Sequence, residues 1–364
     1  MDSFMQFVCL DPVLFDMAME AARGYFPNSQ NTHIGDGEWV DFSAQFDPGL
    51  NFECTDLNLF IDDGSRIPKF TRRLFERLRV LSLRGNFPIE SFSVEPGALP
   101  ALEYMVLSGN DLAAPPVFEP GAHPMLMHLD LSLNQLAAPP AFARGVLATL
   151  LTLNLSRNRL ATPLVFGPGM LPMLQDLYLS ENELTAIPVF ERGALLALEM
   201  LDLSGNKLVV PPVFGPDILR ELRRLDLSRN RLAALPVFGR GALPALVQLN
   251  LARNKLATAL AFGPDALTAL VSLELCRNKL TTPPVFEPGA LRALTYLNLS
   301  GNLLKTLFVI QPGVLTALTH LFLIGNQLTT PPVIEPGTLP ALECLDLSGN
   351  QMTTPFVYSR QMIS

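Results

Sequence analysis

Six cations stand at one spacing in three successive stretches of the chain: Arg229 and Arg231, Arg253 and Lys255, Arg277 and Lys279. If the fold lays these stretches side by side, their side chains form a stripe suited to binding carboxylates. Arg157 and Arg159 show the same pattern earlier in the chain, and Glu181 and Glu183 invert its sign in the stretch between. A second set of candidates lies four or six residues ahead of a recurring asparagine and includes Tyr178, Asp202, Arg224, Asp226, Glu274 and Tyr296. Tyr and Arg are favoured anchors at protein interfaces. Two readings of the stripe remain open. It is a docking site for an acidic peptide, or for the acidic head of a second copy, or else a solvated rim partly balanced by Asp202, Asp226 and Glu274 and copied with the repeat.

No pattern supports catalysis. The sequence has no phosphate-cradling glycine loop, no Cys-x-x-Cys pair and no His-Glu-x-x-His. Its four histidines are His33, His123, His128 and His320. His128 and His320 occupy equivalent places eight repeats apart, about 38 Å at roughly 4.8 Å per strand, too far for a shared metal. We therefore expect no enzyme activity, no cofactor and no metal.

The elements that position these candidates follow from one phrase, L-x-x-L-x-L-x-x-N. Its asparagine falls at Asn86, Asn110, Asn134, Asn158, Asn182, Asn206, Asn230, Asn254, Asn278, Asn302, Asn326 and Asn350, always 24 residues apart. The x-x-L-x-L part alternates apolar and polar, which predicts a short strand with its leucines turned inward. Strands that recur in one direction, one per coil, form a parallel sheet. The asparagine then turns the chain, and its two donors and one acceptor suit a hydrogen-bonded ladder.

After the turn, Pro-Pro-Val-Phe at 115–118, 211–214 and 283–286 favours extended segments over helix. Phe118, Phe142, Phe166, Phe190, Phe214, Phe238, Phe262 and Phe286 form one column, continued by Ile310, Ile334 and Tyr358, and this reads as a periodic core spine.

The phrase and its period resemble the leucine-rich repeat family. The resemblance covers residues 54–364, with a degenerate first repeat at 54–77 and regular repeats over 78–364. It implies an α/β-type repeat solenoid, a horseshoe with a parallel β-sheet on the concave face and turns, polyproline II or 3-10 segments on the convex face. It also implies non-catalytic binding of a protein or peptide through the sheet face. Alternatives are the ligand-sensing part of a receptor system and a structural protein that self-associates through an open C-terminal edge.

Residues 1–53 do not fit the repeat. Pro12 to Arg23 has helical spacing, Tyr25 to Gly37 reads as a loop, and the whole reads as an acidic, partly helical cap. Residues 1–64 hold twelve acidic residues and one basic, whereas the remaining 300 hold 22 acidic and 25 basic. The net charge of −8 and the absence of a broad basic footprint argue against a nucleic-acid binder. No apolar run reaches the roughly 18 residues of a membrane span. Scattered Cys9, Cys54, Cys276 and Cys344 form no disulfide framework, which points to a reduced, intracellular compartment, with secretion as the alternative. The sequons at Asn154 and Asn298 fall within expected strands and read as accidental.

Overall fold

A computed structural model of the chain describes residues 30–34, 56–61, 76–85, 94, 97–118, 121, 123–257, 260–264, 266–306, 313–330 and 338–352. One parallel sheet of fourteen strands runs through them in chain order. From Asp56–Ile61 onward, each strand pairs with the next in a register of 24 residues, as in Leu57↔Leu81, Leu201↔Leu225 and Leu321↔Leu345. The described residues contain no helix.

The leucine framework supplies the core. In the strand Met200–Asp202 the middle leucine is buried while its neighbours are part-exposed, and most strands from Tyr104–Val106 to His320–Phe322 share that pattern. A leucine side chain removed from water contributes about 1.5–3 kcal/mol. Stacking coils buries one leucine row against the next, so the core is continuous from coil to coil.

The asparagines from Asn110 to Asn350 form the expected ladder, and Asn86 lies outside the described residues. Asn206 donates from Nδ2 to the carbonyls of Leu179 at 2.9 Å and Leu203 at 3.1 Å, and its Oδ1 accepts the N–H of Leu184 at 3.0 Å. Each such asparagine thus ties its coil to the one before. Asn110 is the exception: its Oδ1 is buried without a partner. The residue that would donate, 22 positions earlier, is Pro88, which has no N–H.

The outer face is extended, as the prolines predict, but it has a longer period. Two-residue strands pair as Val165–Phe166 with Val189–Phe190, Val213–Phe214 with Val237–Phe238, and Ala261–Phe262 with Val285–Phe286. Among the described residues no strand pairing joins one couple to the next. The phenylalanines stack within each couple, at 5.8, 5.9 and 5.6 Å between ring centroids. Gly-Pro follows the first phenylalanine of each couple, at 167–168, 215–216 and 263–264, and never the second. The sequence therefore marks a 48-residue phase inside the 24-residue repeat.

One expectation is corrected. Residues 30–34, expected within a loop, form the strand Gln30–Ile34, parallel to Asp56–Ile61. The open backbone edge of that neighbour offers hydrogen bonds that a loop would leave unmade, and Thr32 and Ile34 suit a strand. The expected helix at 12–23, Asp62, the column positions Ile310, Ile334 and Tyr358, and the tail 353–364 all lie outside the described residues.

Candidate functional site

The candidate residues occupy two adjoining surfaces, the open face of the sheet and the rim where the chain leaves it. On the face, two columns flank the buried leucine of each strand. The second column includes Tyr178, Asp202, Asp226, Asn250, Glu274 and Asn298. It has a duty that sequence reading missed. Asp202 Oδ1 accepts the N–H of Ser204 at 2.9 Å, Asp226 Oδ1 that of Ser228 at 2.7 Å, and Asn250 Oδ1 that of Ala252 at 3.0 Å. Asp130, Asn154, Asn298 and Asp346 do the same two residues on. These are Asx turns, which close the strand end by supplying an acceptor the backbone lacks. The preference for Asp and Asn in this column was the available signal.

Burial raises these acids above the usual carboxylate range. Asp226 is pushed up to about 6, first by burial and then by the neighbouring charge of Asp202. Its Oδ2 accepts a hydrogen bond from Asn250 Nδ2 at 2.9 Å. Asp202 is also raised by burial, against the pull of the Ser204 N–H. Glu274 is pushed up to about 7 by burial, with the Tyr296 hydroxyl opposing, and its buried Oε2 has no hydrogen-bond partner. Tyr178 is pushed up to about 12 by burial and by Asp176 and Asp202, while Arg224 opposes. Tyr296 is raised by burial and by Glu274.

The first column carries neither core nor turn duty. It reads Tyr104, His128, Thr152, Asp176, Met200, Arg224, Gln248, Ser272, Tyr296, His320 and Cys344 in successive strands. Aromatic residues gather at its ends. Tyr104 stacks on His128 at 4.4 Å and 8°, and Tyr296 lies 5.4 Å from Phe322.

On the rim, Arg229, Arg253 and Arg277 take the position just before the ladder asparagine, with φ of 54°, 56° and 55°. This left-handed conformation costs a residue with a side chain roughly 1–2 kcal/mol. Gly109, Gly205, Gly301, Gly325 and Gly349 hold the same place in other coils. The backbone there is fixed, because Arg229, Arg253 and Arg277 donate their N–H groups to Ala252, Cys276 and Ser300 at 2.9, 2.9 and 2.8 Å. Arg231, Lys255 and Lys279 follow the asparagine and are exposed.

The face acids do not reach the stripe as direct ion-pair partners. Among the described residues, none of the six cations forms an ion pair. Asp202 and Asp226 direct a carboxylate oxygen to their own turns instead. Two like charges at 4 Å in water repel by roughly 1 kcal/mol, so crowding cations here does not stabilise the fold. No group of three or more metal-ligating side chains occurs among the described residues, and no described helix is long and apolar enough to cross a membrane.

The solenoid is similar to solved structures. With the leucine-rich repeat domain of APL1B the identity is 18% and the TM-score 0.56, over 98% of this chain and 96% of that one. This is the leucine-rich repeat fold. The plant peptide hormone receptor RGFR1, in complex with RGF2, is 24% identical with a TM-score of 0.53, over 84% of this chain and 49% of the receptor chain. The Drosophila Toll–Spatzle complex matches at 18% identity and a TM-score of 0.56, over 81% of this chain and 44% of that one. The chain thus spans about half the length of both of these chains. No protein-family model and no curated protein matches it.

Proposed function

We propose that this chain is a non-catalytic scaffold whose leucine-rich repeat sheet face binds a protein or peptide, with residues 200–280 at the centre of contact. The observation that carries the proposal is the first face column. Its residue changes from coil to coil, whereas the central residue beside it, Met105 in the first and leucine in the rest, is buried in every coil from 104 to 322. Positions without packing or turn duty are where a repeat array can encode recognition. Two structures of similar fold hold a partner, RGFR1 with RGF2 and Toll with Spatzle. The proposal includes a reducing compartment, supported by the scatter of the cysteines.

Site-specific cross-linking tests it. A photoreactive phenylalanine analogue is placed at Tyr178 or Tyr296 on the face, or at Val213 on the outer side, and the chain is irradiated in extract of its source cells. The expected result is one discrete protein adduct shared by positions 178 and 296 and missing at 213. Equal adducts at all three positions, or adducts at 213 alone, would overturn the proposal.

A further inference from the structure

The rim changes character at Arg229. In the coils before it, opposite charges meet across coils: Arg157 pairs with Glu181 at 3.0 Å and Lys207 with Glu183 at 2.7 Å. Over the next three coils both rim columns hold only cations, and the described residues supply no ion pair to any of the six. The block has sharp ends. The coil before it carries Gly205 and the ion-paired Lys207, and the coil after it carries Gly301 and Leu303. The left-handed position before the asparagine belongs to the repeat as a whole and is held by Leu133, Arg157 and Glu181 as well, but only in this block is it cationic in three consecutive coils with no ion pair among the described residues. Cations gathered where their mutual repulsion does not help the fold are a reason to look for an anionic ligand.

We infer that Arg229, Arg231, Arg253, Lys255, Arg277 and Lys279 form a docking edge for a short acidic segment of a protein partner. The inference rests on the scaffold reading above and names the chemistry of its partner. Three coils at roughly 4.8 Å span about 10 Å, the length of three to four extended residues at about 3.3 Å each. A cluster of Asp or Glu of that length places its carboxylates among the guanidinium forks and ammonium groups. The face acids Asp202, Asp226 and Glu274 stand beside the edge. Where these acids are ionised they repel a phosphate backbone, which is anionic at every step, whereas a peptide can confine its carboxylates to the cationic side.

The test uses the full chain and a fluorescent peptide of about twelve residues with four central glutamates, followed by anisotropy. Binding is expected to weaken at least about 30-fold in the combined variant Arg229→Glu, Arg253→Glu, Arg277→Glu. A comparable loss is expected in Arg231→Glu, Lys255→Glu, Lys279→Glu, and raising the salt should weaken the native chain. The fold already accepts glutamate at both kinds of position, in Glu181 and Glu183, so these variants should fold. Arg157→Glu should change affinity less than about twofold. Unchanged affinity in both triple variants overturns the inference. So does equal binding of a tetralysine peptide, or tighter binding of a single-stranded oligonucleotide of the same length. Cross-linking separates the two proposals. Face adducts that persist undiminished in the charge-reversed chain retain the scaffold and remove the edge, whereas missing face adducts in the native chain remove the scaffold itself.

Discussion

The sheet face and the outer face are made by the same twelve repeats, yet they keep different periods. On the sheet face every coil bonds to the next in the same way, through strand pairing and the asparagine ladder. On the outer face coils bond in couples, and Phe166, Phe214 and Phe262 are buried more completely than Phe190 and Phe286. The difference shows where the repeat is held and where it is free to vary. Backbone bonding that runs through every coil enforces identity, whereas side-chain packing at intervals permits alternation.

The outer face gives the largest expected effect. Phe214→Ala should cost about 3–5 kcal/mol, and Phe238→Ala, at a part-exposed site, clearly less. Urea midpoints that fall equally would remove the 48-residue phase. On the inner side the matching pair should behave alike. Asn206→Ala and Asn230→Ala should each cost about 2–3 kcal/mol, because each leaves one buried leucine N–H, of Leu184 or Leu208, without its acceptor. A difference between them above about 1 kcal/mol in the same titration would count against a uniform ladder.

The face acids predict an unusual pH response. Glu274 rises from 4.5 to about 7 on folding and Asp226 from 3.8 to about 6. The folded chain therefore holds protons that the unfolded chain releases between those values. Stability should fall as pH rises through that window, by something on the order of 3 kcal/mol for Glu274. Glu274→Gln should be more stable than the native chain at pH 8, and calorimetric melting at two pH values checks both signs. The smallest effect belongs to the rim. Arg157→Ala should cost about 0.5 kcal/mol or less through loss of its exposed pair with Glu181, and Arg253→Ala should cost nothing measurable. A cost above about 1 kcal/mol for Arg253 in chemical unfolding would show a structural duty for the stripe.

Much of the architecture could be read before any coordinates. The leucine spacing, the asparagine period and the phenylalanine column are each local and repeated, so strand, ladder and spine follow from counting. What escaped depends on neighbours. The pairing of Val189–Phe190 with 165–166 rather than 213–214 is decided by two coils at once, and only the Gly-Pro at 167 and 215 hints at it. The turn duty of Asp202 and Asp226 shares its columns with candidate recognition residues, and their rise above the usual carboxylate range comes from burial that no residue type announces. Strand Gln30–Ile34 was missed because its sequence lacks the repeat phrase, and the edge of the adjacent strand selects it. The rim cations were visible as a spacing, but the absence of ion pairs to them among the described residues was not.

The coupling of outer strands bears on how such a chain can lengthen or shrink by inheritance. Loss of the coil between Phe166 and Phe214 would set two Gly-Pro coils against each other, a juxtaposition that none of the observed couples contains. Loss of two coils preserves parity on both faces. Although the sequence repeats every 24 residues, the smallest block that can be exchanged without leaving a seam is 48 residues long.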